Sequence, residues 1–298
     1  MSSTLDLASR EQSARGAGSN TETIASVQFL LGTHMPSWLS RDHLDGPQSH
    51  PVPLFISDRR LRGYRSLPRA VTSWALDSGG FTELSTHGSW DHGPTPAQYV
   101  ARIRRYRDEI GSLLWAAPQD WMCERRITAK TGLTIAEHHR RTVDNLLQLR
   151  SLADDLTIIP VVQGETPGDY LRCADLYARA GIDLTNEPLV GVGSVCRRQN
   201  TSEAGHILTA LHGLGITRLH GFGFKILGLR RYSHLLNSAD SMAWSIAARR
   251  ESALPGCTGH INCANCPRYA YRWRQHATAS RPHDRQPALF DWPIGAAR

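Results

Sequence analysis

Short apolar runs recur along the chain, and each gives way to polar or glycine residues. The runs lie at residues 27–32, 52–57, 74–77, 113–118, 156–162, 189–193, 218–223 and 238–244. Their length and apolar content are typical of buried strands. Helical periodicity fills several connections, most clearly at residues 96–110, 170–180 and 202–213. Eight strands that alternate with helices predict an α/β fold, a (β/α)8 TIM-type barrel rather than an open sheet.

Capping residues mark the predicted helix ends. Thr134 and Glu137 have the spacing of a capping box at the start of a helix that continues to about Arg150. Gly181 follows residues 170–180 as a C-terminal cap. The Pro-containing residues 33–39 predict a loop, and residues 58–62 predict a helix start with a basic face.

The ends of the chain and a cysteine-rich segment depart from the barrel pattern. The predicted units are a disordered tail at 1–24, the barrel at 25–250, a Cys/His segment with zinc at 251–276, and a polar tail at 277–298. No apolar run approaches the roughly 18 residues that a membrane span needs. The polar start also lacks the apolar core of a signal peptide. A cytoplasmic protein with no membrane partner is therefore expected.

The Cys/His segment has the spacing of a metal site, Cys257-x₂-His260-x₂-Cys263-x₂-Cys266. In a reducing compartment, clustered cysteines indicate a metal before a disulfide. Three Cys and one His suit tetrahedral Zn²⁺, and four protein ligands indicate a structural ion. His276 is an alternative fourth ligand, although the compact spacing favours His260. The other interpretation is a group of buried free thiols.

Polar and glycine residues follow the predicted strands. These are Asp77, Asp120, Gln163, Gly191, Gly193, His220 and Asp240. In a barrel the carboxyl ends of the strands meet on one face, where active sites lie. Paired carboxylates are typical of glycosidic chemistry, in which one attacks the anomeric carbon and the other moves protons. They could instead bind Mg²⁺, or individual residues could be helix caps or internal ion pairs. Asp and Gln also suit the polar edge of a guanine-like base.

The charge balance favours a polyanionic partner. The 298 residues carry a net charge of +7. Most of the cationic residues are arginines, whose paired N–H donors match phosphate oxygens. A candidate phosphate track comprises Arg197, Arg198, Lys225, Arg230, Arg231, Arg249, Arg250, Arg268, Arg272 and Arg274. The alternative is an ordinary solvated surface.

In combination, these motifs resemble the tRNA-guanine transglycosylase superfamily over residues 27–276. The order is Asp-Ser-Gly-Gly-Phe, then Asp120, Val-Gln-Gly, Val-Gly-Val-Gly, His-Gly-Phe-Gly and Ala-Asp. The resemblance is greatest to the DNA-modifying branch, the DpdA-type 7-deazaguanine DNA transglycosylases. It rests on the segments Trp-Ala-Leu-Asp-Ser-Gly-Gly-Phe and Pro-Gln-Asp-Trp-Met-Cys-Glu.

The resemblance implies a role for each site residue. Asp240 would be the nucleophile that forms a covalent glycosyl intermediate, and Asp77 the general acid/base. The residues implied in binding the base are Ser78, Phe81, Asp120, Gln163, Gly191, Gly193 and His220. Phe81 would stack on one face of the base. The tRNA enzymes typically have Met near the position of His220, so this chain departs from them at the other stacking face. The superfamily also has a structural zinc held by three Cys and one His.

The implied reaction replaces guanine in DNA with a 7-deazaguanine such as 7-cyano-7-deazaguanine. The target base must leave the stack, so helper proteins that open the duplex would be partners, and the superfamily is often dimeric. One alternative is a tRNA-guanine transglycosylase; the absence of a recognisable RNA-binding domain after the zinc segment favours DNA. Another is a non-catalytic zinc-containing nucleic-acid-binding protein, against which the two carboxylates argue. A third, a free-nucleoside glycosidase or deoxyribosyltransferase, fits the basic charge less well.

Overall fold

Eight parallel strands form the central sheet of the computed structural model, which describes residues 27–279. The strands are β1 (Gln28–Gly32), β2 (Leu54–Ser57), β3 (Trp74–Asp77), β4 (Leu113–Ala116), β5 (Val161–Val162), β6 (Val190–Val192), β7 (Leu219–Gly221) and β8 (Ser238–Ser241). Their spatial order is β4-β3-β2-β1-β8-β7-β6-β5. Every named pair is parallel, as expected of strands joined by helical crossovers.

A short bridge joins the two ends of this strand order. Ala116 at the end of β4 pairs with Ile158, just before β5. The amide of Ala116 donates to the carbonyl of Thr157, and the amide of Ile159 donates to the carbonyl of Ala116. The sheet therefore curls round on itself, and the predicted (β/α)8 barrel is confirmed.

Ten helices surround or follow the strands within residues 27–279. They are α1 (Asp58–Leu61), α2 (Gly80–His87), α3 (Pro96–Ile110), α4 (Arg125–Thr131), α5 (Ile135–Leu152), α6 (Pro167–Arg179), α7 (Ser202–Gly213), α8 (Ile226–Tyr232), α9 (Ala243–Ala248) and α10 (Pro267–Thr278). Complete capping boxes, Thr95 with Gln98 and Thr166 with Asp169, begin α3 and α6. None of these helices is long and apolar enough to cross a bilayer.

The long helices match the sequence prediction, and several short elements do not. Thr134 caps α5 through the amide of Glu137, but the Glu137 carboxylate binds Arg140 and Arg141, so the capping box is only half formed. A 3-10 helix, Pro36–Ser40, replaces part of the predicted loop. The predicted tail at 1–24 lies outside the described residues, as does most of the tail at 277–298, whose first residues continue α10.

Alternation along the strands divides the core into two layers. Phe29 and Leu31 of β1 face outward to the helices, and Leu30 faces the barrel interior. The interior cluster comprises Leu30, Phe55, Ala75, Trp115, Ala117 and Ile159. Because side chains two residues apart share a face of a strand, Asp77 points inward like Ala75. The strand pattern thus aims the last residue of β3 into the mouth of the barrel.

Candidate active site

Asp77 and Asp240 reach one cavity from strands on different sides of the barrel mouth. Asp77 ends β3, and Asp240 is the third residue of β8. The cavity has a volume of about 200 Å³, and Asp120 and Gln163 also line it. The structure therefore brings together all three carboxylates and the amide that the sequence placed at this face.

The backbone after β3 makes Asp77 a buried acid. Gly79 adopts the left-handed conformation (φ 84°) just before α2, and a Cβ there would lie 2.9 Å from Cγ of Arg59. Burial raises the pKa of Asp77, and the nearby charges of Asp240 and Asp58 raise this pKa further, against a hydrogen bond from the amide of Gly79. Asp77 thus holds its proton to a higher pH than an ordinary aspartate, which suits a general acid.

Asp240 is held by donors on one of its two oxygens. The amide of Gly223 donates to Oδ1 at 3.0 Å, and Nε2 of His220 lies 3.3 Å from the same atom. Among residues 27–279, no hydrogen bond is made to Oδ2. A carboxylate fixed through one oxygen leaves the other available for attack on an electrophilic carbon.

His220 lies behind Asp240 rather than on the cavity wall. Its side chain is fully buried, and Nδ1 lies 2.8 Å from Oγ of Ser238. If Ser238 donates to Nδ1, Nε2 carries the proton and donates to Asp240. His220 therefore contacts the predicted nucleophile, and the structure does not place it where it could stack on a base.

Phe222, two residues after His220, lines the cavity that His220 does not reach. It packs edge-on against His220 with ring centroids 4.7 Å apart. A Cβ at Gly191 would lie 2.5 Å from the Phe222 ring. Gly191 is therefore covered by this ring, and its lack of a side chain makes room for an aromatic wall.

Asp120, Gln163 and Ser194 form a hydrogen-bonded chain beside the cavity. Oγ of Ser194 donates to Oε1 of Gln163 at 2.6 Å, which turns Nε2 of Gln163 toward Oδ2 of Asp120, to which it donates. A Cβ at Gly193 would overlap the Gln163 amide, so this glycine is needed for the arrangement. Burial, with the charge of Asp77, raises the pKa of Asp120 to about 7. Asp120 thus loses its proton near neutral pH, well above the range of an ordinary aspartate.

This pKa predicts that Asp120→Asn stabilises the protein at alkaline pH. The ordinary pKa of Asp is about 3.9, so between about pH 4 and pH 7 the folded state binds more protons and loses stability as pH rises. Replacing the carboxylate removes a cost on the order of 1–3 kcal/mol at pH 8. Thermal melts should show a higher Tm for the variant at pH 8, converging with wild type near pH 4. A lower Tm at pH 8 would contradict this assignment.

Two further predicted residues lie beside Asp77. Phe81 is 41% exposed, lines the cavity, and carries the guanidinium of Arg126 at 5.0 Å from its ring centre. Ser78 is buried, and its Oγ has no hydrogen-bond partner among residues 27–279. Phe81 therefore keeps exposed surface at the cavity, with Arg126 over one face of its ring, and Ser78 keeps an unused donor and acceptor.

The predicted metal ligands converge at a second location. The ligand atoms of Cys257, His260, Cys263 and Cys266 all lie within 4.8 Å of one another. Sγ of Cys257 is 3.9 Å from Sγ of Cys266, and Nε2 of His260 is 3.3 Å from Sγ of Cys263. These separations fit a tetrahedral ion with metal–ligand distances of roughly 2.0–2.3 Å. His276 lies outside this group, in the last turn of α10, 3.5 Å from Arg230. The cluster could hold a metal ion.

A family model described as DpdA, DeoxyPurine in DNA protein A, matches residues 26–295. The chain belongs to the DpdA family. The resemblance found in the motifs is thereby confirmed over nearly the whole chain. DpdA is a family of transglycosylases, which fits a cavity lined by the carboxylates of Asp77 and Asp240. No curated protein matches the chain.

The DpdA cavity also contains residues that the sequence analysis missed. They are Phe55, Met122, Glu124, Ser194, Cys196 and Phe222. Ser194 and Cys196 follow the glycines of β6, and Ser194 has a positive φ of 56°, which is uncommon for a non-glycine residue. Their position directly after a strand end was the available signal. Glu124 lies 3.5 Å from Sγ of Cys196, a contact that depends on folding.

Proposed function

We propose that this protein exchanges guanine in DNA for a 7-deazaguanine, such as 7-cyano-7-deazaguanine, through a covalent bond to Asp240. The observation that carries the proposal is the single cavity shared by Asp77, Asp240 and the Asp120–Gln163 pair. Membership of the DpdA family supports DNA as the polymer. The cavity size suits one base with its edge against polar groups.

The first step breaks the bond between guanine and the sugar. Oδ2 of Asp240 attacks C1′ of the deoxyribose, and the electrons of the C1′–N9 bond pass to the departing guanine. Asp77 gives its proton to the base, so that a neutral guanine leaves. The raised pKa of Asp77 supports this role, because the acid must be protonated when the reaction begins.

The second step restores the nucleotide. The incoming 7-deazaguanine loses its N9 proton to Asp77, and N9 attacks C1′ as the ester bond to Asp240 breaks. Two displacements at C1′ retain the β configuration. The donors on Oδ1 from Gly223 and His220 stabilise the carboxylate as it leaves. Each base thus enters and leaves without a nucleotide cofactor.

The hydrogen-bonded chain of Asp120, Gln163 and Ser194 is assigned to base selection. The aromatic rings of Phe81 and Phe222 form the rest of the proposed base site. Above neutral pH the Asp120 carboxylate accepts hydrogen bonds from the N1–H and exocyclic amine of guanine, and Gln163 holds its orientation. Phe81 and Phe222 supply apolar surface for the base rings. A 7-deazaguanine keeps the same edge, so both bases fit these groups.

We also assign a structural Zn²⁺ to the Cys/His cluster. Three thiolates and an imidazole match the ligand preference of zinc, and four protein ligands complete its tetrahedron. When bound, the ion would cross-link the chain between α9 and α10. Oγ of Ser245 donates to the carbonyl of Ala264, which attaches the segment to the barrel.

A covalent DNA adduct tests the proposed mechanism. Incubated with guanine-containing DNA and quenched with acid or detergent, wild-type protein should carry DNA on Asp240, seen by denaturing electrophoresis and peptide mass spectrometry. Added 7-deazaguanine should discharge the adduct. A non-catalytic binder would retain DNA in native gels but give no adduct under denaturing conditions.

His220→Ala should slow exchange by about 10–100-fold in kcat and leave the KM for the base nearly unchanged. The reason is that His220 orients the Asp240 carboxylate, and a small misplacement of a nucleophile is costly. His220→Gln, whose amide can donate to Oδ1, should recover part of the rate. If His220 stacked on the base instead, the KM would rise while kcat changed little.

A further inference from the structure

A second cavity adjoins the base cavity, the name used from here on for the space lined by Asp77, Asp120, Gln163 and Asp240. It has a volume of about 440 Å³, and it shares Phe55, Asp77, Phe81 and Asp240 with the base cavity. The two spaces therefore form one cleft, with the predicted nucleophile at the junction. A nucleotide with its base in the first space and C1′ at Asp240 must extend into the second.

The second cavity differs from the base cavity in charge. His34, Arg59 and Arg60 line it, whereas no arginine or histidine from residues 27–279 lines the base cavity. Arg59 and Arg60 come from α1, directly after β2. The sequence had already shown a basic face at this position, without a function. Cations at the sugar side of a cleft favour an anion there.

Arg59 is fixed in place by a buried acid. Its Nη1 lies 2.5 Å from Oε1 of Glu83, and its side chain packs against Gly79. The other buried acid nearby, Asp58, is bound by Arg102 and by the hydroxyl of Tyr106. The local carboxylates outside the catalytic pair are thus already neutralised by other groups.

The guanidinium of Arg60 has no protein partner among residues 27–279. Its side chain is exposed, and it makes no ion pair or hydrogen bond with any residue from 27 to 279. In contrast, many arginines of the candidate phosphate track are used by the fold: Arg268 and Arg272 bind Asp45, and Arg274 binds the carbonyl of Phe29. Arg60 has a free guanidinium at the cleft that holds the nucleophile.

We propose that the second cavity binds the phosphodiester next to the exchanged nucleotide, with Arg60 as the main phosphate contact and Arg59 as a fixed neighbouring charge. This inference rests on the proposed function, which places the sugar at Asp240. A guanidinium presents paired N–H donors that match two phosphate oxygens. A free base or nucleoside has no phosphate for these arginines to bind, so the site favours a polynucleotide.

The test measures how binding depends on salt. Arg60→Ala should reduce the slope of log K against log[salt] by about 1 for a short guanine-containing oligodeoxynucleotide, because one phosphate contact is lost. Affinity at low salt should fall severalfold, and Arg60→Lys should restore part of the slope. Arg65→Ala is the matched control, since Arg65 is exposed but lies between α1 and β3, at the opposite end of the barrel. Its slope should equal that of wild type.

The outcomes separate this site from the proposed reaction. The slope is measured without added base and needs no exchange, so it reports on phosphate contact alone. An unchanged slope for Arg60→Ala, with wild-type exchange intact, would overturn the phosphate site only. A reduced slope with no exchange by wild type would support the site and reject the proposed function. Parallel titrations with tRNA identify the polymer: a slope change with tRNA but not with DNA would overturn the assignment to DNA.

Discussion

Asp240→Ala should lower base exchange by a factor on the order of 10⁴ or more, because Asp240 is the group that bonds to C1′ in the proposed mechanism. Asp240→Asn should be equally inactive, although its side-chain oxygen can still accept from Gly223 and His220. The measurement is incorporation of labelled 7-deazaguanine into DNA at saturating base. Both variants should bind DNA as wild type does.

The control for this loss is a carboxylate far from the cavity. Asp144 lies on α5, is exposed, and pairs with Arg140. Asp144→Ala removes one negative charge as Asp240→Ala does, but its exchange rate should stay within about twofold of wild type, as is usual for an exposed surface position. Residual exchange by Asp240→Ala at a tenth of the wild-type rate would contradict covalent catalysis by Asp240.

Loss of the metal site should produce the largest change in stability. Cys263 is fully buried in the Cys/His cluster, and Cys263→Ala should remove the ion and destabilise the fold by roughly 3–5 kcal/mol. Metal analysis should find about one zinc per chain in wild type and little in the variant. Chelation of wild type should lower its Tm in the same direction.

The matched control for the metal is Cys173→Ala. Cys173 is as deeply buried as Cys263, but it lies on α6 away from the cluster. Both substitutions remove a buried thiol, so their difference in Tm measures the contribution of the ion. Equal losses of stability, with no zinc in wild type, would show that the cluster is a group of packed thiols.

The Cys/His segment also contacts the wall of the cleft. Oδ1 of Asn265, between two of the cysteines, accepts a hydrogen bond at 2.7 Å from Nε2 of His34, which lines the second cavity. Ring stacking of His34 on Trp244 continues this contact into the core. A structural ion would therefore support one wall of the nucleotide site as well as the end of the chain.

The barrel could be predicted because its strands are short apolar runs of regular spacing. The long helices α3 and α7 were predicted with their observed bounds, since each combines periodicity with a capping residue. The short helices α2 and α4 were missed. They have eight and seven residues, too few for a clear period, and packing against one another supports them.

The residue types that form the site could be predicted from the sequence, but how deeply each side chain lies in the barrel could not. Polar residues after strands identified Asp77, Asp120, Gln163 and Asp240, all of which line one cavity. His220 shares the same pattern, yet it lies in the middle of β7 and is buried. How far a side chain lies from the mouth depends on strand register, which no single segment contains.

The aromatic wall illustrates the same limit. Phe222 reaches the cavity because Gly191, on the neighbouring strand, leaves space for its ring. That relation joins residues far apart in sequence. Arg60 likewise has no carboxylate partner among residues 27–279 because Arg59, Arg62 and Arg102 bind the nearby carboxylates.

The most direct test of base exchange is to supply labelled 7-cyano-7-deazaguanine with DNA, and separately with tRNA, and to digest each polymer to nucleosides. Label is expected in a 7-deazaguanine deoxynucleoside from DNA, with the wild-type protein but not with Asp240→Asn. Label in tRNA alone would contradict the choice of polymer while retaining the same carboxylates. Label in neither polymer, with DNA bound and no covalent adduct formed, would contradict base exchange itself.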